Sequence, residues 1–176
     1  MKQWIVFALL VSAATPANAY LKVGSGAPDF ATQATLGGKE FSFRLSEALK
    51  RGPVVLYFYP AAFTTGCTIE AHNFAEAVPQ FKMLNATVLG VSQDNIKTLD
   101  KFSVQECRSA FPVAADTDGE ITKSYDARLS SLFAVSDRTS YVISPKGKII
   151  YAYRAMDPDH HASNALEAVR RWVRDN

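Results

Sequence analysis

Two short apolar segments constrain the fold more than any other feature of the sequence. They are PVVLYFY (Pro53–Tyr59) and ATVLGVS (Ala86–Ser92), and neither alternates between apolar and polar residues. A strand with one face in water does alternate, so unbroken apolar runs of this length are typical of strands buried on both faces. A helical pattern separates the two runs. This order favours parallel neighbours in one sheet that is covered by helices.

Turn residues and helical patterns extend this core at both ends. Two hairpins are predicted, one turning at Gly37-Gly38 and one at Pro145-Lys146-Gly147, because glycine and proline suit tight turns. A further short strand is predicted within residues 111–116. Helices are predicted near residues 45–50, 71–81, 96–102, 119–126 and 166–173. Pro79 is expected to kink or split the second helix. The predicted class is α/β, with an N-terminal β-hairpin and a central mixed sheet flanked by helices.

The first nineteen residues differ from the rest of the chain. Lys2 precedes an apolar stretch from Trp4 to Ala14, and Ala17-Asn18-Ala19 has the small residues of a cleavage site. We therefore predict a signal peptide over residues 1–19 and one domain over residues 20–176. An uncleaved N-terminal anchor is the alternative. No other segment is long and apolar enough to span a bilayer, so no stable membrane association is expected after cleavage.

The composition is that of an ordinary globular domain. Of the 176 residues, 48% are hydrophobic and 20% are charged, and the net charge is +2. Lysine and arginine form no continuous stripe, which argues against a nucleic-acid surface. Export would place the two cysteines, Cys67 and Cys107, in an oxidising compartment. An even number of cysteines there favours a structural disulfide.

Cys67 lies where the first buried strand leads through a short turn into a predicted helix. A thiol is nucleophilic only as the thiolate, and a free cysteine is mostly protonated at neutral pH. The first turn of a helix favours the anion, because its backbone N–H groups are unsatisfied and the helix dipole is positive there. Pro60 fixes the path of the chain out of the strand, and Thr64 can bring a hydroxyl near the sulfur. The segment therefore predicts an activated thiolate.

The spacing Pro60-x-x-x-Thr64-x-x-Cys67 resembles the active-site motif of the peroxiredoxins, which belong to the AhpC/TSA superfamily. The wider segment FYPAAFTTGCTIEAHNF is most similar to the bacterioferritin comigratory (PrxQ) subfamily. Four further blocks of the sequence agree in the same order: GAPDF, VLGVSQD, FPVAAD and RTSYVISPKGKI. Because these blocks cover nearly all of residues 20–176, the resemblance implies a thioredoxin-like fold for that domain.

The resemblance also implies a role for each matching residue. Cys67 is implied to be the peroxidatic cysteine, which attacks the peroxide O–O bond and becomes a sulfenic acid. Thr64 is implied to hydrogen-bond the peroxide, and Pro60 to shield the sulfenic acid from water. Arg138 is implied to stabilise the thiolate by its fixed positive charge. Glu70 is implied to orient Arg138 through a carboxylate–guanidinium pair.

The sequence departs from the subfamily at the resolving cysteine. Many members carry it five residues after the peroxidatic cysteine, where this chain has His72, which we interpret as a surface helix residue. Another branch places it in the helix before the FP strand, and Cys107 lies in that region, about one turn late. On a continuous helix, Cys107 would point the same way as Ile96. Cys107 is thus a resolving cysteine, a buried inert thiol, or half of a structural disulfide with Cys67.

The function implied is that of an exported, thiol-dependent peroxidase acting on hydrogen peroxide or small organic hydroperoxides. No haem, flavin or metal cofactor is expected, and His160 and His161 are interpreted as a polar loop rather than as metal ligands. The expected partner is a thioredoxin-like reductant or a small thiol, and no nucleic acid. A monomer is expected, with a weak dimer as the alternative, and the family resemblance favours the bacterial periplasm.

Two other functions stand as alternatives. A disulfide oxidoreductase of the thioredoxin fold uses Cys-x-x-Cys, but the third residue after Cys67 is Glu70. A non-catalytic exported thioredoxin-fold protein would carry a structural disulfide between Cys67 and Cys107. A freely alkylatable Cys67 in the purified protein would rule that alternative out.

Overall fold

The fold is built on a mixed sheet with helices on both faces, as described for residues 20–130 and 133–176 in a computed structural model. The strands are β1 (Ala31–Leu36), β2 (Lys39–Arg44), β3 (Val54–Phe58), β4 (Thr87–Ser92), β5 (Val113–Ala115), β6 (Arg128–Ser130), β7 (Phe133–Ser136), β8 (Thr139–Ile143) and β9 (Ile149–Arg154). The helices are α1 (Leu45–Leu49), α2 (Thr65–Met83), α3 (Ile96–Gln105), α4 (Glu120–Ser124) and α5 (His161–Asp175).

The strand order confirms the predicted class. Within the described ranges, one seven-stranded sheet has the order β2-β1-β5-β4-β3-β8-β9. The strands β3, β4 and β5 are parallel to one another, and the outer pairings are antiparallel. Both predicted hairpins form, and Gly37 and Gly38 have the positive φ values of 58° and 76° that the first turn requires. The small β6–β7 ribbon was not predicted.

β3 is buried on both faces, as its unbroken apolar sequence predicted. Tyr57 lies on the face covered by α2, α3 and α5, where its ring stacks on Phe74 with the ring centroids 4.2 Å apart. Leu56 and Phe58 lie on the opposite face with α1. Burial of each such side chain stabilises the fold by about 1.5–3 kcal/mol. The strand therefore holds the loop that begins at Pro60 in a fixed place.

α2 runs through Pro79 without a break, so the expectation that this proline splits the helix is wrong. Proline lacks the backbone donor that would bond to the carbonyl of Ala75. Pro79 lies on the exposed side of the helix, whereas Phe74, Val78 and Phe81 are buried in the core. Packing of these three side chains outweighs the loss of one hydrogen bond, which is worth roughly 1 kcal/mol.

α3 ends at Gln105, so Cys107 does not lie on the continuous helix that the sequence suggested. The chain turns immediately afterwards through Arg108 and Ser109, which have φ values of 52° and 53°. This left-handed region is uncommon for residues other than glycine. Cys107 therefore sits in a tight turn, and its direction is not set by the helical spacing from Ile96.

The predicted signal peptide, residues 1–19, lies outside the described residues. Across residues 20–130 and 133–176, no helix combines the length and the apolar character needed to cross a membrane.

Candidate active site

Cys67 occupies the first turn of α2 and is only 1% exposed. Thr64 is the N-cap residue, and the first helical hydrogen bond runs from the N–H of Thr68 to the Thr64 carbonyl at 2.9 Å. The preceding N–H groups of the turn, including that of Cys67, have no partner within a helix and can bind an anionic oxygen. The structure thus has the buried thiol at the helix N-terminus that the sequence predicted.

The loop between β3 and α2 is anchored by Asp94, a residue that the sequence reasoning missed. The N–H of Ala62 donates to Asp94 Oδ2 at 2.8 Å, and Ser92 Oγ donates to the same oxygen at 2.8 Å. A carboxylate that accepts two hydrogen bonds fixes the loop more firmly than a neutral acceptor would. The signal was present in the sequence as the polar SQD ending of an apolar strand.

Pro60 and Thr64 flank the same loop. Pro60 is half-buried, and the exposed Thr64 hydroxyl donates to the carbonyl of Ala61 at 3.0 Å. Phe63 has a positive φ of 65°, and its ring packs edge-on against Phe102 with the centroids 5.3 Å apart. Such a backbone conformation persists only where the surroundings hold it. The contacts of Pro60 with a sulfenic acid and of Thr64 with a peroxide stay predictions.

Arg138 brings a buried guanidinium to the sulfur. It precedes β8 and is 3% exposed. Its Nη2 lies 3.6 Å from Cys67 Sγ, Nη1 donates to Glu70 Oε2, and Nε donates to the Met156 carbonyl at 3.0 Å. Gly66 leaves the necessary room, because a Cβ at that position would lie 2.9 Å from Nη2. Contacts on three sides therefore fix the guanidinium against the thiol.

Burial decides the charge of Glu70. It raises the Glu70 pKa to about 8, although the positive charge of Arg138 acts in the opposite direction. For Arg138, burial lowers the pKa, but Glu70 and Cys67 outweigh it and the net shift is upward. The structure thus brings together the two residues that the sequence paired, while burial favours a neutral carboxyl below pH 8. When Glu70 is neutral, its carboxyl does not compensate the positive charge of the Arg138 guanidinium, and that charge acts on the Cys67 sulfur.

His161 does not lie in the polar loop that the sequence suggested. It begins α5 and is 0% exposed, whereas the preceding His160 is exposed. Its Nδ1 lies 2.7 Å from Ser140 Oγ and 3.5 Å from Glu70 Oε1, and its Nε2 lies 2.9 Å from the Ala155 carbonyl. The polar sequence DPDHH does not indicate that His161 is buried. The only signal was the spacing of four and eight residues from His161 to Ala165 and Val169 of the closing helix.

Cys107 is a second buried thiol, 0% exposed, in the same core cluster as Cys67. Its N–H donates to the Phe102 carbonyl at 3.0 Å. Burial, and after it the charge of Glu106, raises the Cys107 pKa far above the ordinary cysteine range. Cys107 is therefore a protonated thiol at neutral pH. Both cysteines are free, so the structure represents the reduced protein.

Two polar contacts tie the Cys107 turn to α2. His72 Nε2 lies 2.9 Å from Glu106 Oε2, and Arg108 Nη1 donates to Glu76 Oε1 at 3.3 Å. His72 is thus a partly exposed helix residue with a partner on the Cys107 turn. Pairs this close to solvent contribute no more than about 1 kcal/mol each. The turn can consequently open at a small cost in these two contacts.

The fold and the site together define a thiol peroxidase of the thioredoxin-like class, in which a cysteine at a helix N-terminus faces a fixed guanidinium. In the described ranges, no group of three or more acidic, histidine or cysteine side chains could hold a metal ion.

Comparison with known proteins leads to the same class of thiol peroxidase. Residues 23–152 match the AhpC/TSA family.

Individual relatives extend this match. Peroxiredoxin Bcp of Xanthomonas campestris pv. campestris is 31% identical over 122 residues, which are 66% of this chain and 76% of the relative. The crystal structure of peroxidoxin BcpB from Mycobacterium tuberculosis has a TM-score of 0.78 at 31% identity, covering 86% of this chain and 98% of the other. The bacterioferritin comigratory protein of X. campestris has a TM-score of 0.71 at 29% identity, covering 80% and 91%.

The chain belongs to the AhpC/TSA family and, within it, is a peroxiredoxin most similar to the bacterioferritin comigratory (PrxQ) proteins. The predicted thioredoxin-like fold is confirmed by the structural match along most of the chain. The non-catalytic alternative with a structural disulfide is not favoured, since the matching family and relatives are peroxiredoxins.

Proposed function

We propose that this peroxiredoxin is an exported enzyme that reduces hydrogen peroxide and small organic hydroperoxides, with Cys67 as the peroxidatic cysteine. The observation that carries the proposal is the 3.6 Å approach of Arg138 Nη2 to the buried Cys67 Sγ. A fixed positive charge at this distance favours the thiolate over the thiol. It also stabilises the negative charge that develops on the leaving oxygen.

In the first step, the Cys67 thiolate attacks the terminal oxygen of the hydroperoxide ROOH. The S–O bond forms as the O–O bond breaks, so the sulfur is oxidised by two electrons to a sulfenic acid and the peroxide is reduced. The released RO⁻ takes a proton from water and leaves as ROH. The unsatisfied N–H groups of the α2 turn and the exposed Thr64 hydroxyl support binding of the peroxide oxygens.

The proposed substrates include small organic hydroperoxides, because exposed apolar residues belong to the segment around Cys67 and to the segment that holds Arg138. Phe63 from the loop, Ile69 from α2 and Met156 beside Arg138 are exposed large hydrophobic residues. The structure of the X. campestris bacterioferritin comigratory protein is described together with its alkyl peroxide reduction activity. Both observations support an alkyl group on the peroxide.

We propose Cys107 as the resolving cysteine. After its thiol loses a proton, the Cys107 thiolate would attack the Cys67 sulfenic sulfur. The S–S bond would form as the S–O bond breaks, and the hydroxide that leaves would take up a proton to become water. A thioredoxin-like dithiol would then reduce the disulfide to two thiols and itself become a disulfide. Bonding geometry requires the first turn of α2 to unwind and Cys107 to leave its buried position. The two weak contacts that flank Cys107 and the left-handed residues that follow it support such an opening.

A second candidate is a one-cysteine cycle in which an external thiol attacks the sulfenic acid. The burial and raised pKa of Cys107 favour this candidate, because a protonated, inaccessible thiol cannot resolve the intermediate until the turn opens. The two candidates differ in the product that forms before any reductant is added.

The experiment oxidises the reduced protein with hydrogen peroxide, without a reductant, and identifies the products by mass spectrometry under non-reducing conditions. We expect a Cys67–Cys107 disulfide in the wild-type protein. In Cys107→Ser we expect Cys67 as a sulfenic acid that excess peroxide converts to the sulfinic acid. Cys107→Ala is the matched variant that buries no hydroxyl. A wild-type protein that accumulates the same sulfenic acid as Cys107→Ser would establish the one-cysteine cycle.

Export to the periplasm rests on the sequence of residues 1–19. Lys2, the apolar stretch that follows it and the Ala17-Asn18-Ala19 site support cleavage after Ala19. Expression in a Gram-negative host followed by fractionation and N-terminal sequencing is expected to give a periplasmic protein that begins at Tyr20. Recovery of the chain in the cytoplasm with residues 1–19 intact would contradict export.

A further inference from the structure

His161 is a fully buried histidine that the peroxide chemistry above does not use. Its ring lies between α2, the sheet and the segment after β9, with the Tyr153 ring edge-on at 4.8 Å. The charged groups that act on it are Glu70 from α2, Arg138 and Asp137 ahead of β8, and Asp157 from the loop before α5. Tyr153 on β9 is a further titratable neighbour.

The hydrogen-bond partners of His161 fix its tautomer. The Ala155 carbonyl can only accept, so Nε2, 2.9 Å away, carries the hydrogen. Burial lowers the His161 pKa to about 4, so the ring is neutral at neutral pH and Nδ1 presents a lone pair. The Ser140 hydroxyl, with Oγ 2.7 Å away, and a protonated Glu70 Oε1, 3.5 Å away, compete to donate to that single lone pair. The same edge of the ring faces Glu70.

The two carboxyl oxygens of Glu70 face different residues. Oε2 accepts a hydrogen bond from Arg138 Nη1, and Oε1 lies 3.5 Å from His161 Nδ1. Oε1 has no other polar contact: among the described residues it lacks a hydrogen-bond partner altogether. A buried carboxyl oxygen without a partner is destabilising, so a small movement that closes the gap to Nδ1 is favourable.

We propose that His161 is a positioning residue that holds the second oxygen of the Glu70 carboxyl and thereby keeps the Arg138 guanidinium against Cys67. The inference rests on the proposed role of Cys67. A neutral Nδ1 lone pair attracts a protonated Oε1 and repels a charged one. Since burial already raises the Glu70 pKa to about 8, His161 helps to keep the carboxyl neutral below that pH.

The charge balance of the site gives the proposal its pH dependence. Below pH 8, Glu70 is neutral and does not compensate the positive charge of the Arg138 guanidinium beside Cys67. Above pH 8, the Glu70 carboxylate competes with the thiolate for the same guanidinium. The rate constant for oxidation of Cys67 by hydrogen peroxide is therefore expected to fall above about pH 8.

Two substitutions separate the two sides of the ring. The Asn side chain of His161→Asn places its amide where Nδ1 lies. The longer Gln side chain of His161→Gln places its amide where Nε2 lies and therefore offers no polar atom of its own to Glu70. We expect His161→Gln to lower the rate constant at pH 7 by about tenfold and to move the high-pH fall to lower pH. His161→Asn is expected to keep the fall near pH 8. His160→Gln, an exposed neighbouring change, is the matched control.

The measurement is single-turnover oxidation of each reduced protein across pH 5–10. A His161→Gln profile identical to wild type would overturn the proposal, as would equal losses in both variants with an unshifted profile, since that result indicates packing alone. If the wild-type protein itself does not react with peroxide, the proposed function fails instead.

A measurement on the wild-type protein keeps the proposal testable if a variant does not fold. The ¹⁵N chemical shift of His161 Nδ1 is expected to report a titration near pH 8 that disappears in Glu70→Gln. An Nδ1 shift that is constant between pH 6 and 9 would overturn the proposal.

Discussion

Replacing Cys67 with serine is expected to abolish peroxide reduction, with a loss of at least about 10³-fold in kcat/KM. A serine hydroxyl stays protonated at neutral pH, and its oxygen cannot accept the oxygen atom that sulfur takes from the peroxide. The measurement is the rate of hydrogen peroxide loss with a small dithiol as the reductant. Cys107→Ser is the matched comparison. Each chain of this variant is expected to consume one equivalent of peroxide and then to wait until an external thiol reduces the Cys67 sulfenic acid.

Cys67 is buried, so the effect on folding has to be separated from the effect on chemistry. Thermal unfolding of Cys67→Ser is expected to remain cooperative, because serine is slightly smaller than cysteine and the neighbouring N–H groups can bond to its hydroxyl. A cooperatively folded Cys67→Ser protein that still turns over peroxide at the wild-type rate would remove Cys67 from the mechanism.

Replacing Arg138 with alanine is expected to lower the rate constant for oxidation of Cys67 by about 10²–10³-fold, the effect of removing one preorganised charge from a reacting centre. The Arg138 guanidinium nitrogen Nη2 lies 3.6 Å from the Cys67 sulfur. Its loss removes the positive charge that favours the anionic form of the sulfur and weakens the stabilisation of the leaving oxygen. Iodoacetamide alkylation of Cys67 at pH 7 is expected to slow as well.

Two further variants make this prediction specific. Arg138→Lys keeps the charge but not the fork of donors, so we expect a partial loss. Glu70→Gln preserves an acceptor for Arg138 and is expected to cost far less than Arg138→Ala, because burial keeps the Glu70 carboxyl neutral below about pH 8. Equal losses in Glu70→Gln and Arg138→Ala would show that the Glu70 charge is essential, contrary to this account.

The parts of the fold that the sequence predicted are those set by local chemistry. Unbroken apolar runs were sufficient for the buried strand β3, and paired glycines with positive φ were sufficient for the first hairpin. Cys67 was predicted at a helix N-terminus because a strand, a turn and a helix follow one another within a short segment. Pro79 does not split α2, because buried side chains on both sides of it hold the helix together.

The contacts that complete the site join residues far apart in the chain. Arg138 lies 71 positions from Cys67, and only a resemblance to a known family paired the two. His161 and Asp94 were missed because a polar loop sequence and a strand ending do not indicate which side chain turns inward. Cys107 was displaced from its expected helix because α3 ends at Gln105, a boundary that helical periodicity did not indicate. Sequence therefore predicted the place of Cys67 at a helix N-terminus, and the fold supplies the surroundings of the thiol.

The most direct test of the account is the fate of Cys67 when the reduced protein receives one equivalent of hydrogen peroxide in the presence of a sulfenic-acid-trapping reagent such as dimedone. In Cys107→Ser, peptide mapping is expected to show the reagent on Cys67 and on no other residue, while the peroxide disappears in equal amount. In the wild-type protein, a Cys67–Cys107 disulfide is expected to compete with trapping. If peroxide is consumed while Cys67 remains an unmodified thiol, or if Cys67 does not react at all, the assignment of the peroxidatic cysteine is wrong.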